Sequence, residues 1–291
     1  MQEMTPSVKI ATMKTLLLIL FILLVLLLLI CFLLAPGRTT KAQRNLFSGC
    51  KFAHRGLHSK DKHIPENSLA AFRLAADAGY GIELDIRLTR DNRIVVFHDD
   101  TLLRMCGIDR RVDSFTYEEL KEFRLLDSNE CIPLFSEVLS LVSGRIPLLV
   151  ELKSGNTNTL LCELAYQMLR DYSGTYCIES FHPMIVCWFK KHAPQVLRGQ
   201  LSAPCKSFQG TLPALSAFLL SHLFTNFLAR PQFIAYHKGK TPVSVMLCRA
   251  LGALRAVWTL RDTDYNDLSC IQDSRILFGK NDMIIFEFFR P

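Results

Sequence analysis

Between Phe52 and Asp100, three short apolar runs each end in polar residues: FAHR, IELD and IVVFHD, which carry His54, Arg55, Glu83, Asp85 and His98. Strands that are buried along their length and bear chemistry only at their carboxyl ends read this way. Side chains two apart on a strand share a side, so Glu83 lies with Asp85, and Glu151 with Lys153 at the end of LLVELK. Three carboxylates from two strands make an all-oxygen set for a hard divalent cation, calcium or magnesium, with water completing the shell. The rival assignment of Glu83 and Asp85 to surface ion pairs is weakened because acids follow an apolar strand run twice. A lone histidine at a strand end is more often a packed residue than a catalyst. A pair such as His54 and His98 supplies the base and acid that phosphoryl transfer to an internal hydroxyl needs. Arg55 offers a fixed fork of donors to phosphate oxygens, although an ordinary ion pair explains it equally well. Lys153 adds positive charge opposite the metal.

These groups need a scaffold that gathers strand ends. Strand patterns fall at 51–53, 81–86, 93–97, 147–152, 175–179, 196–201, 232–235, 253–259 and 283–287. Helical patterns at 68–78, 136–142, 159–170, 184–192, 212–228 and 243–251 lie between most of them. The alternation implies an α/β fold with a parallel sheet, whose closed form is the (β/α)8 TIM-type barrel. Nine strands are one too many, and the link from Ile86 to Arg93 is too short for a helix. Either the last strand overlaps a barrel edge or 232–235 is not a strand. Residues 99–146 form an excursion after the third strand, a small insertion over the barrel mouth, with a Thr-x-x-Glu capping box at Thr116.

Upstream, Thr15 to Leu34 carries no charge. As a helix it reaches roughly 30 Å, the thickness of a bilayer core. A cleaved signal peptide would have a shorter apolar region and an A-x-A-like site, which is absent, so an uncleaved transmembrane anchor is the reading. Lys9 and Lys14 precede the helix while Arg38, Lys41, Arg44 and Lys51 follow it, which places the catalytic domain on the cytoplasmic side. Nine cysteines outside the anchor, without C-x-x-C spacing, read as core filler in a reducing compartment. The chain thus divides into a tail (1–14), the anchor (15–35), a polar linker with Pro36-Gly37 (36–50) and a catalytic barrel (51–291). Residues 212–228 are apolar enough to raise a second span, but Pro213, His222 and Asn226 favour a buried barrel helix. The net charge of +7 is moderate, and its lysines and arginines lack interleaved aromatics, which excludes a nucleic-acid binder.

HRG (54–56), PENS (65–68), ELD (83–85), VVFHD (95–99) and ELK (151–153), in that order and spacing, resemble the glycerophosphodiester phosphodiesterase family. IPLFSEVL (132–139), ESFHP (179–183) and AVWTL (256–260) extend the resemblance over residues 51–291. It implies metal-dependent hydrolysis of a glycerophosphodiester, such as glycerophosphocholine or glycerophosphoethanolamine, to sn-glycerol 3-phosphate and an alcohol. By the family motif Glu83, Asp85 and Glu151 bind the metal, and His54 and His98 are the general acid–base pair. Arg55 and Lys153 hold the phosphate, and Glu66 and Trp258 line the site. Three departures stand out: Asn92 in place of a glycine, Arg261 in place of an asparagine after Trp258-Thr259, and Phe286-Glu287 in place of Thr-Asp. Asn92 tolerates a left-handed turn nearly as well as glycine. The other two bear on the alcohol-side pocket and on strand registration. Two other functions fit the same residues: cleavage of lysophospholipids at a membrane surface, and a non-catalytic phosphodiester-binding membrane protein. The second predicts loss of a catalytic residue, and none is missing.

Overall fold

The computed structural model describes residues 6–59, 61, 63–261 and 283–287. Nine strands run in chain order: β1 (Lys51–His54), β2 (Gly81–Leu88), β3 (Ile94–Val96), β4 (Leu148–Leu152), β5 (Tyr176–Ser180), β6 (Arg198–Ser202), β7 (Phe233–His237), β8 (Leu254–Arg261) and β9 (Met283–Glu287). Eleven α-helices accompany them: α1 (Pro6–Leu34), α2 (Lys41–Phe47), α3 (Leu69–Asp77), α4 (Leu103–Cys106), α5 (Tyr117–Leu120), α6 (Phe135–Val142), α7 (Asn158–Arg170), α8 (Pro183–His192), α9 (Ala214–Ser221), α10 (Asn226–Ala229) and α11 (Val243–Ala250). Eight strands pair in parallel and the sheet closes through β1 and β2, giving the (β/α)8 barrel.

The surplus strand is β3. It folds back antiparallel on β2, with Ile86 opposite Val96, and takes no place in the closed ring. Neither 232–235 nor the last strand is the irregular one: β7 pairs on both sides, and β9 joins β8 to β1. The tight link before β3 turns through Asn92 at φ 59°, the left-handed conformation expected of it. The insertion follows β3 and has its own small core of Phe97, Leu102, Met105, Phe115 and Leu120. The Thr116 capping box starts α5, with Glu119 bonding back to the Thr116 amide at 2.7 Å.

Two apolar layers hold the barrel. Outward residues such as Ile82, Leu84, Val150 and Ile178 pack beneath the helices. Inward residues Phe52, Leu149, Cys177, Phe233 and Leu254 fill the lower interior. Gly199 is what admits Phe233, because a Cβ there would lie 2.0 Å from the ring. Within the linker stretch, Lys41–Phe47 forms α2, started by a Thr40–Gln43 capping box, and its Phe47 plugs the amino-terminal end of the barrel interior. The apolar 212–228 segment is a helix pair, α9 and α10, broken at 222–225 and only half-buried. The nine cysteines among the described residues are free thiols; Cys270 lies outside them.

Candidate active site

The carboxyl end of β1 turns sharply. Arg55 and Gly56 both take positive φ, 55° and 82°, and a Cβ on Gly56 would meet the Ala71 backbone at 2.9 Å. HRG therefore needs its glycine to let the turn pack on α3. The turn is pinned by the Arg55 amide donating to Glu83 Oε2 at 3.0 Å and by the Asn67 amide donating to the Arg55 carbonyl at 2.9 Å. Ser68 caps α3 through its hydroxyl, which accepts from the Ala71 amide. PENS is thus a helix start that also delivers Glu66 and Asn67 to the site.

On β2 the i, i+2 spacing places Glu83 and Asp85 together, and parallel pairing sets Glu151 of β4 beside Asp85. Their carboxylate oxygens lie within 4.8 Å of one another, and the three side chains are buried. At 2% and 1% exposure, Glu83 and Asp85 are not surface ion-pair residues. Lys153 Nζ lies 2.8 Å from Asp85 Oδ1 and 2.7 Å from Glu151 Oε1. Arg55 donates to Glu66 Oε1 at 2.7 Å, and its Nε lies 3.5 Å from Asp85 Oδ2. Asn67 Nδ2 donates to Asp85 Oδ2 at 2.8 Å.

A fourth buried carboxylate joins them. Glu179, next to last on β5, lies opposite Glu151, and its Oε2 is buried without a hydrogen-bond partner. The signal for it was present in the sequence: TYCIES is a further apolar strand run closing on an acid. Burial pushes both Glu83 and Glu179 well above the usual carboxylate range, and neighbouring carboxylates add to it. Burial also raises Glu151, with Asp85 adding to it against Lys153. Burial would raise Asp85 too, but Lys153 and the other nearby positive charges outweigh it and hold Asp85 well below that range. Fully ionised, the four buried carboxylates would outweigh the cations Arg55 and Lys153; a divalent ion would neutralise that excess, and the raised carboxyls are the sign of its cost. The donor set is all oxygen, so the residues fit calcium or magnesium.

His54 lies 4.0 Å from Glu83 Oε2 through Nε2, and its buried Nδ1 has no hydrogen-bond partner. Burial first, then the Arg55 charge, holds this imidazole well below its usual range, so it is neutral near pH 7. His98 is oriented by its neighbour, with Nδ1 2.6 Å from Asp99 Oδ1. Arg104 of the insertion bridges this pair to the rest of the site, donating to Asp99 Oδ2 at 2.6 Å and to Glu66 Oε1 at 2.7 Å. Arg104 was not legible as a site residue, because its contact with Glu66 spans the fold between PENS and the insertion; Asp99 stands in the VVFHD motif but was not singled out. Trp258 stands at the mouth on β8, edge-on to Phe181 at 5.7 Å and to His237 at 5.1 Å.

The two late departures meet each other. Arg261 Nε donates to Glu287 Oε2 at 3.0 Å, and Glu287 lies 4.0 Å from His54 Nδ1 and 3.6 Å from His58 Nε2. Registration of β9 on β1 is regular, while β8 and β9 shift register between Val257 and Leu260.

With this geometry in view, comparison with known proteins is decisive for the family. The model of the "Glycerophosphoryl diester phosphodiesterase family" matches residues 54–285. The chain belongs to this family. A glycerophosphodiester phosphodiesterase of Bacillus altitudinis is 39% identical over 113 residues, 36% of this chain and 45% of that protein. Glycerophosphodiester phosphodiesterase 1 of Rattus norvegicus is 44% identical over 71 residues, 24% of this chain and 20% of that one. These matches span less than half the length of either relative. Among solved structures, an Oleispira antarctica phosphodiesterase in complex with the product sn-glycerol-3-phosphate superposes with a TM-score of 0.65 at 23% identity, covering 84% of this chain and 94% of that one. A Thermotoga maritima glycerophosphodiester phosphodiesterase gives 0.58 at 22% identity, covering 81% and 93%. Both likenesses establish the shared barrel.

Proposed function

We propose that the protein hydrolyses glycerophosphodiesters to sn-glycerol 3-phosphate and an alcohol, using Glu83, Asp85 and Glu151 to hold one divalent cation. The observation that carries this reading is the buried carboxylate cluster set between two histidines and two cations at one barrel end. A bound cation supplies Lewis-acid charge to the phosphoryl oxygens. The protein's own groups do the rest. Arg55, held by Glu66, and Lys153 bind the non-bridging oxygens and stabilise the charge that grows on them. One histidine takes the proton of the glycerol 2-hydroxyl as that oxygen attacks phosphorus, and the other protonates the departing alcohol. Water then opens the cyclic phosphate. A neutral His54 suits the base, and an Asp99-supported His98 suits the acid. Asp99 and Arg104 act as positioning residues for His98 and Glu66.

We further read α1 as a membrane anchor, with the barrel on the cytoplasmic side. Residues 10–34 are long and apolar enough to cross a bilayer, residues 10–30 of them are exposed, and the basic excess follows them. A second substrate reading rests on a specific feature. A cavity of about 330 Å³ opens beside Ser154 and is walled by Phe181, Phe208, Leu212, Leu219 and Leu220. It suits an acyl chain, and so a lysophospholipid cleaved to lysophosphatidic acid. The test is turnover of glycerophosphocholine and lysophosphatidylcholine by the full chain, with and without a chelator. Chelator-insensitive release would overturn the metal assignment, and inactivity on both substrates would overturn the enzyme reading.

A further inference from the structure

The end of α1 is not a free tether. Leu34, 1% exposed, inserts among Leu223, Ile234, Tyr236 and Val245. Arg230 donates to the carbonyls of Phe32 at 2.7 Å and Ala35 at 2.9 Å, with its guanidinium 4.7 Å from the Phe32 ring. Cys248 Sγ of α11 donates to the Leu34 carbonyl at 3.2 Å, and the Phe32 and Phe227 rings approach to 6.5 Å. Whatever plane the apolar helix meets, the barrel is bonded to its last turn and is held at a fixed attitude to it.

Beside that junction lies an unusual surface. From Ser207 to Ala229 no residue carries a formal charge, and Lys206 and Arg230 bracket the run. Neither α9, with eight residues, nor α10, with four, is long enough to cross a bilayer. Leu215, Phe218, Phe227 and Leu228 are nevertheless exposed, at 68%, 45%, 38% and 38%. The strip runs from Phe227, which meets the span, to Leu215 on α9, whose neighbours Ser216 and Leu219 line the apolar cavity. Exposed apolar side chains gathered on neighbouring helices in this way mark an interaction site. Its continuity with the span identifies the occupant, and exposed Lys206 at its far end suits anionic headgroups.

We propose that the α9–α10 strip is a membrane seat: it lies in the headgroup–acyl boundary, so that the barrel rests side-on against the bilayer with the cavity mouth at the lipid surface. The seat rests on the reading of α1 as an anchor, and the test separates the two. Full-length chains carrying Phe218→Trp, Leu215→Trp, Phe21→Trp within α1, or Ser140→Trp on exposed α6 are reconstituted in vesicles of equal parts phosphatidylcholine and phosphatidylglycerol. The phosphatidylcholine has either plain or brominated acyl chains. The emission added to that of the native Trp188 and Trp258 is then compared between the two vesicle types. The seat predicts that brominated chains quench the tryptophans at 218, 215 and 21 and leave the one at 140 unchanged. Quenching at 21 without quenching at 215 and 218 overturns the seat and keeps the anchor. No quenching at any position overturns both. Blue-shifted but unquenched emission at 218 would show the strip covered by a second copy or another protein, and also overturns the proposal.

Discussion

Followed around its inner wall, the upper barrel changes character half-way. Strands β1, β2, β4 and β5 point His54, Glu83, Asp85, Glu151 and Glu179 inward, with Lys153 just beyond β4, and most of these groups are buried against unlike or like charge. Strands β6, β7 and β8 present Leu201, Ala235, His237 and Trp258 at the corresponding height, with Phe181 and the apolar cavity beside them. The charged half is costly to fold, since burying carboxylates in excess of cations opposes stability. Such a cost is tolerated where charge is to be matched by a ligand, on the proposed function a cation and a phosphodiester. The neutral half has no comparable electrostatic demand and is suited to the alcohol or acyl part of the substrate. On the proposed function, reaction chemistry and substrate choice thus lie on opposite walls.

The largest expected effect breaks the charged half. His54→Ala and His98→Ala should each lower turnover by at least about 100-fold, measured at saturating substrate. A smaller effect probes the neutral wall. Leu219→Trp, which fills the cavity, should lower kcat/KM for lysophosphatidylcholine by about tenfold while leaving glycerophosphocholine within about twofold. Equal loss on both substrates would remove the division between the walls.

Arg104→Ala tests the strap from the insertion to the charged half. Burial would raise the Glu66 carboxyl, yet hydrogen bonds from Arg104 and the nearby guanidinium charges hold it below its usual range; Asp99 is lowered likewise, by His98 and Arg104. A carboxylate with a depressed folded-state pKa contributes stability above its unfolded value and loses it as pH falls through the folded one. The variant's loss in melting temperature should therefore be full at pH 7 and shrink below about pH 4. A loss independent of pH would mean that Arg104 acts by packing alone. The smallest effect belongs to Arg261 and Glu287. The arginine is largely exposed, so a double-mutant cycle on thermal stability should give a coupling below about 1 kcal/mol.

Legibility from sequence followed the same division. Residues at the ends of buried strands stand out, because a buried acid closing an apolar run needs a partner charge or a ligand, and a second histidine at a second strand end makes chance packing a weaker explanation. His54, Glu83, Asp85 and Glu151 were readable on that ground, and Glu179 obeys the same rule. Arg104 was not, since its place arises from a contact between the insertion and the PENS turn, and Asp99 stood in VVFHD without being singled out. The nine-strand count was resolved only by pairing: β3 has a buried strand's composition, but its two neighbours are β2 and the insertion. The 212–228 segment misled in the other direction. Apolar composition suggests burial, and the structure instead leaves much of it exposed beside the end of α1.

Phosphorus NMR of glycerophosphocholine incubated with the full chain tests the central claim most directly, run beside the His54→Ala variant and beside a chelated sample. The account predicts a growing glycerol 3-phosphate signal only from the intact chain with divalent cation present. Glycerol 3-phosphate appearing at the intact rate from the variant or under chelation would contradict it.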